Sequence, residues 1–251
     1  MPAKSPCIAS PSSLWTARAK AVLPPSHLPF PRALNLVLNP IYILIGLTVA
    51  ISAYAWSKDE LMESWIMQPY VMARSGQWYR LLTSGFLHAD WGHLLFNMFA
   101  FYSFSPLVLA TLADRYGEGF GLGLFLLLYL GGIVISDLPT YFQHRNDRGY
   151  RSLGASGGVS SVVFASILLF PVNANGGGII IFPIPFPIQP FLFGFLYLAY
   201  SWYMGRRRGD NINHDAHFYG ALYGVVLMLA LMPAAGPDFI SQISLFIQSR
   251  L

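Results

Sequence analysis

The chain has 251 residues, 55% of them hydrophobic and only 10% charged, against about 25% charged in an average soluble domain. That deficit argues against a soluble fold. The net charge of +4 sits in short clusters rather than on a basic face with interleaved aromatics, which argues against nucleic-acid binding, and the single cysteine, Cys7, has no internal disulfide partner.

Residues 1–34 carry repeated prolines and serines and are expected to form a flexible tail. Their four positive charges without an acid also fit an organelle transit peptide, although the prolines disfavour the amphipathic helix such a peptide needs. A membrane span takes about 20 mainly apolar residues, because each rises about 1.5 Å across a hydrocarbon core of about 30 Å. Six such segments follow, at about 36–56, 91–112, 119–138, 154–170, 186–204 and 214–232. The expectation is an all-α membrane protein with a six-transmembrane-helix domain over residues 35–235 and a C-terminal tail over 236–251. Between the first two spans, residues 57–90 hold Trp65, Tyr70, Trp78 and Tyr79, side chains that favour the membrane–water interface, so this first loop should be membrane-associated. The short connector at 113–118 forces antiparallel neighbours, and 171–185, rich in glycine and proline and uncharged, reads as an irregular turn. The absence of an internal repeat argues against an inverted-repeat transporter.

Gly154-Ala155-Ser156-Gly157-Gly158 opens the fourth span. A serine there faces unpaired backbone N–H groups and the positive end of the helix dipole, where a developing anion is stabilised. It still needs a base, and His217, near the start of the sixth span, has an imidazole that titrates near neutrality. Small residues provide for close packing of the two spans: Gly157, Ser161 and Ala165 recur four apart on one, and Gly220 and Gly224 form a GxxxG on the other. Such faces are also ordinary helix-packing devices, so the serine motif alone is a weak signal. His93 and Asn97, four residues apart, share one helix face and could donate hydrogen bonds to an oxyanion beside Ser156, or simply bond across helices. Asp215 is two residues from His217, so the side chains diverge, which argues against an Asp-assisted triad; His214 and His217 lack the carboxylates of a metal motif. His88 reads as a loop histidine paired with backbone or Asp90.

With His93-Leu94-Leu95-Phe96-Asn97, Gly154-Ala155-Ser156-Gly157 and Ala216-His217 followed by Gly220 and Gly224 in this order, the chain resembles the rhomboid family of intramembrane serine proteases over about residues 40–235. The resemblance implies a Ser156–His217 dyad without an acidic third member. The oxyanion site would be the Ser156 N–H, His93 and Asn97, and Gly154, Gly157, Gly158, Gly220 and Gly224 would give close approach of helices and substrate. It implies cleavage of transmembrane protein substrates within the lipid bilayer, no cofactor or metal, and a multi-pass location, taken here as a bacterial inner membrane. The fifth span and residues 205–213 would act as gate and cap.

Three departures stand out. Tyr79 separates Trp78 from Arg80 where the family commonly has Trp-Arg. Ser160 stands where many members place a tyrosine that stacks on the histidine, leaving Tyr219 or Tyr223 to orient His217. The family's inside N-terminus puts more of the positive charges outside than inside, against the positive-inside rule. The alternative function is a catalytically inactive relative that binds membrane clients; such proteins usually lack the serine or the histidine, and both are present here.

Overall fold

The computed structural model describes residues 39–173, 177–180, 186–207 and 212–251, so the tail expected over 1–34 lies outside the described residues. Helices account for the regular structure: α1 Pro40–Ala55, α2 Asp59–Trp65, α3 Pro69–Ser75, α4 Arg80–Thr83, α5 Trp91–Tyr116, α6 Glu118–His144, α7 Ser156–Leu169, α8 Pro190–Arg207, α9 His214–Leu231 and α10 Ala235–Gln248. Two isolated β-bridges, Met67 with Ser152 and Ile179 with Ile188, are the extended pairings among the described residues.

Helix starts follow local chemistry. Asn39 caps α1, its Oδ1 accepting from the Ile41 N–H at 3.0 Å, with Pro40 in the first turn where a missing N–H costs nothing. Asp90 caps α5 by accepting from the His93 N–H at 2.8 Å. Asn213 caps α9 by accepting from the Ala216 N–H at 3.0 Å.

α7 is the centre of the bundle, with every residue from Gly157 to Leu168 buried. Small residues bring α6 and α9 against it. A methyl group added at Gly132 on α6 would stand 2.8 Å from the Ser161 Cβ, and one at Gly158 would stand 2.7 Å from Ile133. On the other side, a methyl at Gly220 would stand 2.8 Å from the Gly157 carbonyl carbon, and one at Gly224 would stand 2.8 Å from that of Ser161. The register 157 with 220 and 161 with 224 makes α7 and α9 parallel, so their N-terminal ends share one face of the bundle. The apolar core continues through Phe101, Phe125, Leu128 and Tyr129, all fully buried, between α5 and α6.

Outward faces are apolar as well. Leu95, Phe96 and Phe99 of α5 are 60%, 75% and 70% exposed, a surface that suits lipid rather than water. By length and hydropathy α5 and α6 are each sufficient to cross a membrane. α1 with α2, bent by 120°, and α9 with α10, bent by 108°, pass only as pairs, which makes two candidate spans or up to four among the described residues. α7 falls short because its 14 residues rise only about 21 Å. The stretch read as a C-terminal tail contains α10, whose Ile240 and Ile247 are exposed and whose Gln242 Nε2 donates to the Leu169 carbonyl at 3.4 Å, at the foot of α7.

The loop over 57–90 is an ordered platform. Arg80, buried, donates from one guanidinium nitrogen to the carbonyls of Glu63 and Ile66, each at 2.7 Å, and from Nε to Gln77 Oε1 at 2.7 Å. Trp78, the residue displaced in the motif, is half exposed and packs its ring 4.9 Å from that of Tyr141. The platform reaches the serine loop in two places: Met67 exchanges backbone hydrogen bonds with Ser152, and the Gly154 N–H donates to the Ser84 carbonyl at 3.0 Å. Arg151 and Glu63 add an exposed ion pair, and the guanidinium beside Glu63 holds its carboxyl below the usual range.

Candidate active site

Ser156 is the first residue of α7, and the preceding Ala155 supplies no side-chain cap. The first-turn N–H groups of α7 are therefore left without the side-chain acceptor that a Ser, Asp or Asn cap would bring. Gly154 takes φ +124°, a left-handed backbone that a side chain would strain, and a methyl there would also stand 2.8 Å from the His93 Cε1 and 2.9 Å from its Nε2. The glycine thus lets the chain turn sharply into α7 and lets the His93 ring lie directly against the serine loop.

His93 sits in the first turn of α5, fixed by the Asp90 cap. Behind it is His88, fully buried, its ring centroid 4.9 Å from that of His93 and its Nδ1 3.0 Å from the Ser52 hydroxyl. Burial pushes the His88 imidazole down to about 3, with His93 adding to the effect and Asp90 opposing it, so His88 stays neutral and packs as a polar wedge. The partner expected for His88, Asp90 or backbone, is replaced by Ser52 of α1. Asn97 is buried one turn below His93, and one of its two amide hydrogens is engaged with the His93 carbonyl at 3.0 Å.

His217 lies in the first turn of α9, its N–H donating to the Asn213 carbonyl at 3.3 Å. The Gly157–Gly220 contact sets the turn that carries Ser156 beside the turn that carries His217, and both residues keep partial solvent exposure. A cleft of 660 Å³ opens nearby between α6, α8 and α9, lined by Pro139, Gln143, Gly205, Arg206, Asp215 and Tyr219. Asp215 is turned toward α8, where a methyl at Gly205 would stand 2.6 Å from its Oδ1.

Neither tyrosine suggested for orienting His217 stacks on it. Tyr223 donates its hydroxyl to the Leu127 carbonyl of α6 at 3.0 Å, and Tyr219 packs edge-on against Phe218. The ring on His217 is Tyr197 of α8, at a centroid distance of 6.1 Å and 20° between planes, with its hydroxyl 3.0 Å from that of Ser160. His214 meets His217 edge-on at 5.7 Å.

A further polar cluster escaped the sequence reading. Asn213 Nδ2 donates to Asp137 Oδ1 at 3.3 Å and to the Ser152 hydroxyl at 3.1 Å, and its Oδ1 accepts from Thr140 at 3.2 Å. These bonds tie the start of α9 to α6 and to the serine loop. The available signal was an asparagine immediately before an apolar helix, a preferred capping position.

The family profile described as Rhomboid domain matches residues 75–234. Among curated relatives, YdcA of Bacillus subtilis (strain 168), named there as a candidate rhomboid protease, is 30% identical over 158 residues, covering 61% of this chain and 67% of the relative. Rhomboid-like protein 11, chloroplastic, of Arabidopsis thaliana is 33% identical over 175 residues, 64% of this chain and 56% of that protein. RHOMBOID-like protein 12, mitochondrial, from the same plant is 26% identical over 199 residues, 73% of this chain and 56% of that protein. The matched stretch is little more than half the length of the two plant relatives. Because the relatives divide among a bacterium, a chloroplast and a mitochondrion, the likeness carries a membrane location and not a particular membrane.

Proposed function

The chain belongs to the rhomboid family, and from that premise we propose that it is an intramembrane serine protease that hydrolyses peptide bonds in or near the transmembrane segments of membrane-protein substrates. The observation that carries the reading is the parallel crossing of α7 and α9 at Gly157–Gly220, with His93 lying against Gly154 at the same end. In this proposal the apolar helices α1 and α5 to α9 are the six membrane-embedded segments, α7 reaching only part of the way across, and Ser156 and His217 work at their shared end.

His217 takes the Ser156 hydroxyl proton as the oxygen attacks the scissile carbonyl, and then gives it to the leaving amine; water repeats the cycle on the acyl-enzyme with His217 again as base. The negative oxygen of each tetrahedral intermediate is held by the Ser156 N–H, by the ring N–H of His93 and by the amide hydrogen of Asn97 not bonded to the His93 carbonyl. The partial exposure of Ser156 and His217 supports access for that water. No cofactor enters the scheme.

The test is cleavage of a model transmembrane substrate by the full chain in detergent, together with labelling by a fluorophosphonate. Wild type should cleave and label, and Ser156→Ala should do neither while keeping its helical content and unfolding midpoint. Cleavage that survives Ser156→Ala would remove the assignment. A protein that binds the substrate segment without cutting or labelling would instead be the inactive client-binding relative.

A further inference from the structure

An imidazole turns about two single bonds, so a histidine acting as base has to be held in one orientation by what touches it. His217 is held from a different helix. The Tyr197 ring of α8 lies nearly parallel to it, at a distance within the range of stacked aromatic pairs, and is itself located by Ser160 and by the Phe164 and Phe193 rings, both at 5.6 Å. Tyr197 therefore joins three helices: it grows from α8, bonds to α7 and lies alongside the His217 ring of α9, nearly parallel to it.

α8 is the most loosely seated of the three. Gly194 and Ser201 are its buried residues, while Leu192, Phe195, Leu196 and Tyr200 are about half exposed. A methyl at Gly194 would meet α7 at an ordinary 3.4 Å, whereas one at Gly220 would collide with the backbone of Gly157. At Gly194 α8 meets α7 through the Ile167 and Phe164 side chains, with one backbone bond at the foot, from the Phe191 N–H to the Pro171 carbonyl at 2.9 Å, while α9 and α7 meet backbone to backbone.

We infer that Tyr197 is the positioning residue of His217, so that the orientation of the base depends on α8 being seated against α7 and α9. The inference rests on the reading of His217 as the base. When α8 moves outward, Tyr197 leaves with it and the imidazole loses its stacked face, so opening the bundle on this side and holding the base ready exclude each other.

The full chain in detergent micelles tests this with Tyr197→Leu, which stays apolar but removes the ring, Tyr197→Phe, which keeps the ring without the Ser160 bond, and Tyr197→Leu combined with Ser160→Tyr, which offers a ring from α7. Tyr197→Leu should lower kcat about tenfold to a hundredfold, the scale of a misplaced catalytic group, and slow fluorophosphonate labelling in parallel, with KM within about twofold. Tyr197→Phe should lose less, and the double variant should recover part of the loss. A kcat and labelling rate within twofold of wild type in Tyr197→Leu, or a loss confined to KM, overturns the inference while leaving the protease reading intact. A wild type that neither cleaves nor labels fails the protease reading instead. In that case the His217 ring-proton resonances still decide whether Tyr197 holds the ring: Tyr197→Leu must shift them by removing the neighbouring ring current, and unchanged resonances refute the contact.

Discussion

Replacing Gly220 with alanine puts one methyl group where the backbone of α7 already stands. That methyl would overlap the Gly157 carbonyl oxygen and stand 2.8 Å from its carbonyl carbon and 2.9 Å from its Cα, against about 3.5 Å for comfortable carbon–carbon contact, so α7 and α9 must part by at least about 0.7 Å. Overpacking of this kind costs about 1–3 kcal/mol. Alanine returns about 0.8–1 kcal/mol as the better helix former, so the net loss of stability is only about 0–2 kcal/mol. Activity should suffer far more than folding, because Ser156 and His217 ride on the two helices being parted and a displacement near 1 Å costs about a hundredfold in rate. Gly220→Ala is thus expected to lower kcat by about tenfold to a hundredfold in a fluorogenic transmembrane-peptide assay, with an unfolding midpoint close to wild type. Gly123→Ala on α6 is the control, since a methyl there meets nothing within 4 Å. Wild-type kcat in Gly220→Ala, or an equal loss in Gly123→Ala, would show that the crossing does not set the geometry of catalysis.

Asn97→Ala removes one oxyanion donor and should lower kcat by about a hundredfold to a thousandfold with KM little changed, read from initial rates over a substrate series. His88, held near 3 by burial against an ordinary 6.5, makes stability fall with acid. Above 6.5 both states leave it neutral; between 6.5 and about 3 only the unfolded chain takes the proton, so stability should drop by up to about 1.4 kcal/mol per pH unit across that window. Denaturation curves of wild type and His88→Asn compared from pH 7 to pH 4 check this, the variant showing the shallower slope. Arg80→Ala leaves the Glu63 and Ile66 carbonyls without their donor and should cost about 1–3 kcal/mol per group that stays buried, measured by the same unfolding assay.

Continuous apolar composition was enough to locate α5, α7 and α9 within a few residues and the start of α6, which runs on to His144, six residues past its expected end, because a helix that faces lipid or is buried all round needs no alternation of polar residues to declare itself. The small-residue spacing on 157, 161, 220 and 224 was legible for the same reason: close backbone approach has a residue-type signature. The partner of His217 was not. Which face Tyr197 presents depends on the rotation of α8 about its own axis, and that is set by Gly194 against Ile167 and by the burial of Ser201, contacts that no local pattern encodes. Tyr219 and Tyr223 looked closer because they are neighbours in sequence, yet the rotation of α9 needed to bury Gly220 and Gly224 turns Tyr223 toward α6. α10 was missed because a break at Met232 with a following proline resembled the end of the ordered chain; its amphipathic face pays off only once α7 and α9 are there to lie across.

The shortness of α7 sets a depth. Its 14 residues climb about 21 Å, and its foot is anchored by Gln242 from the sideways-lying α10. If that foot lies at one surface of a hydrocarbon layer about 30 Å thick, the start of α7, with Ser156, falls roughly 9 Å short of the other surface. On the protease reading, a client chain would then have to dip, unwind or slide downward by about that much to be cut, and susceptibility would be governed by how readily the upper turns of its own helix come apart.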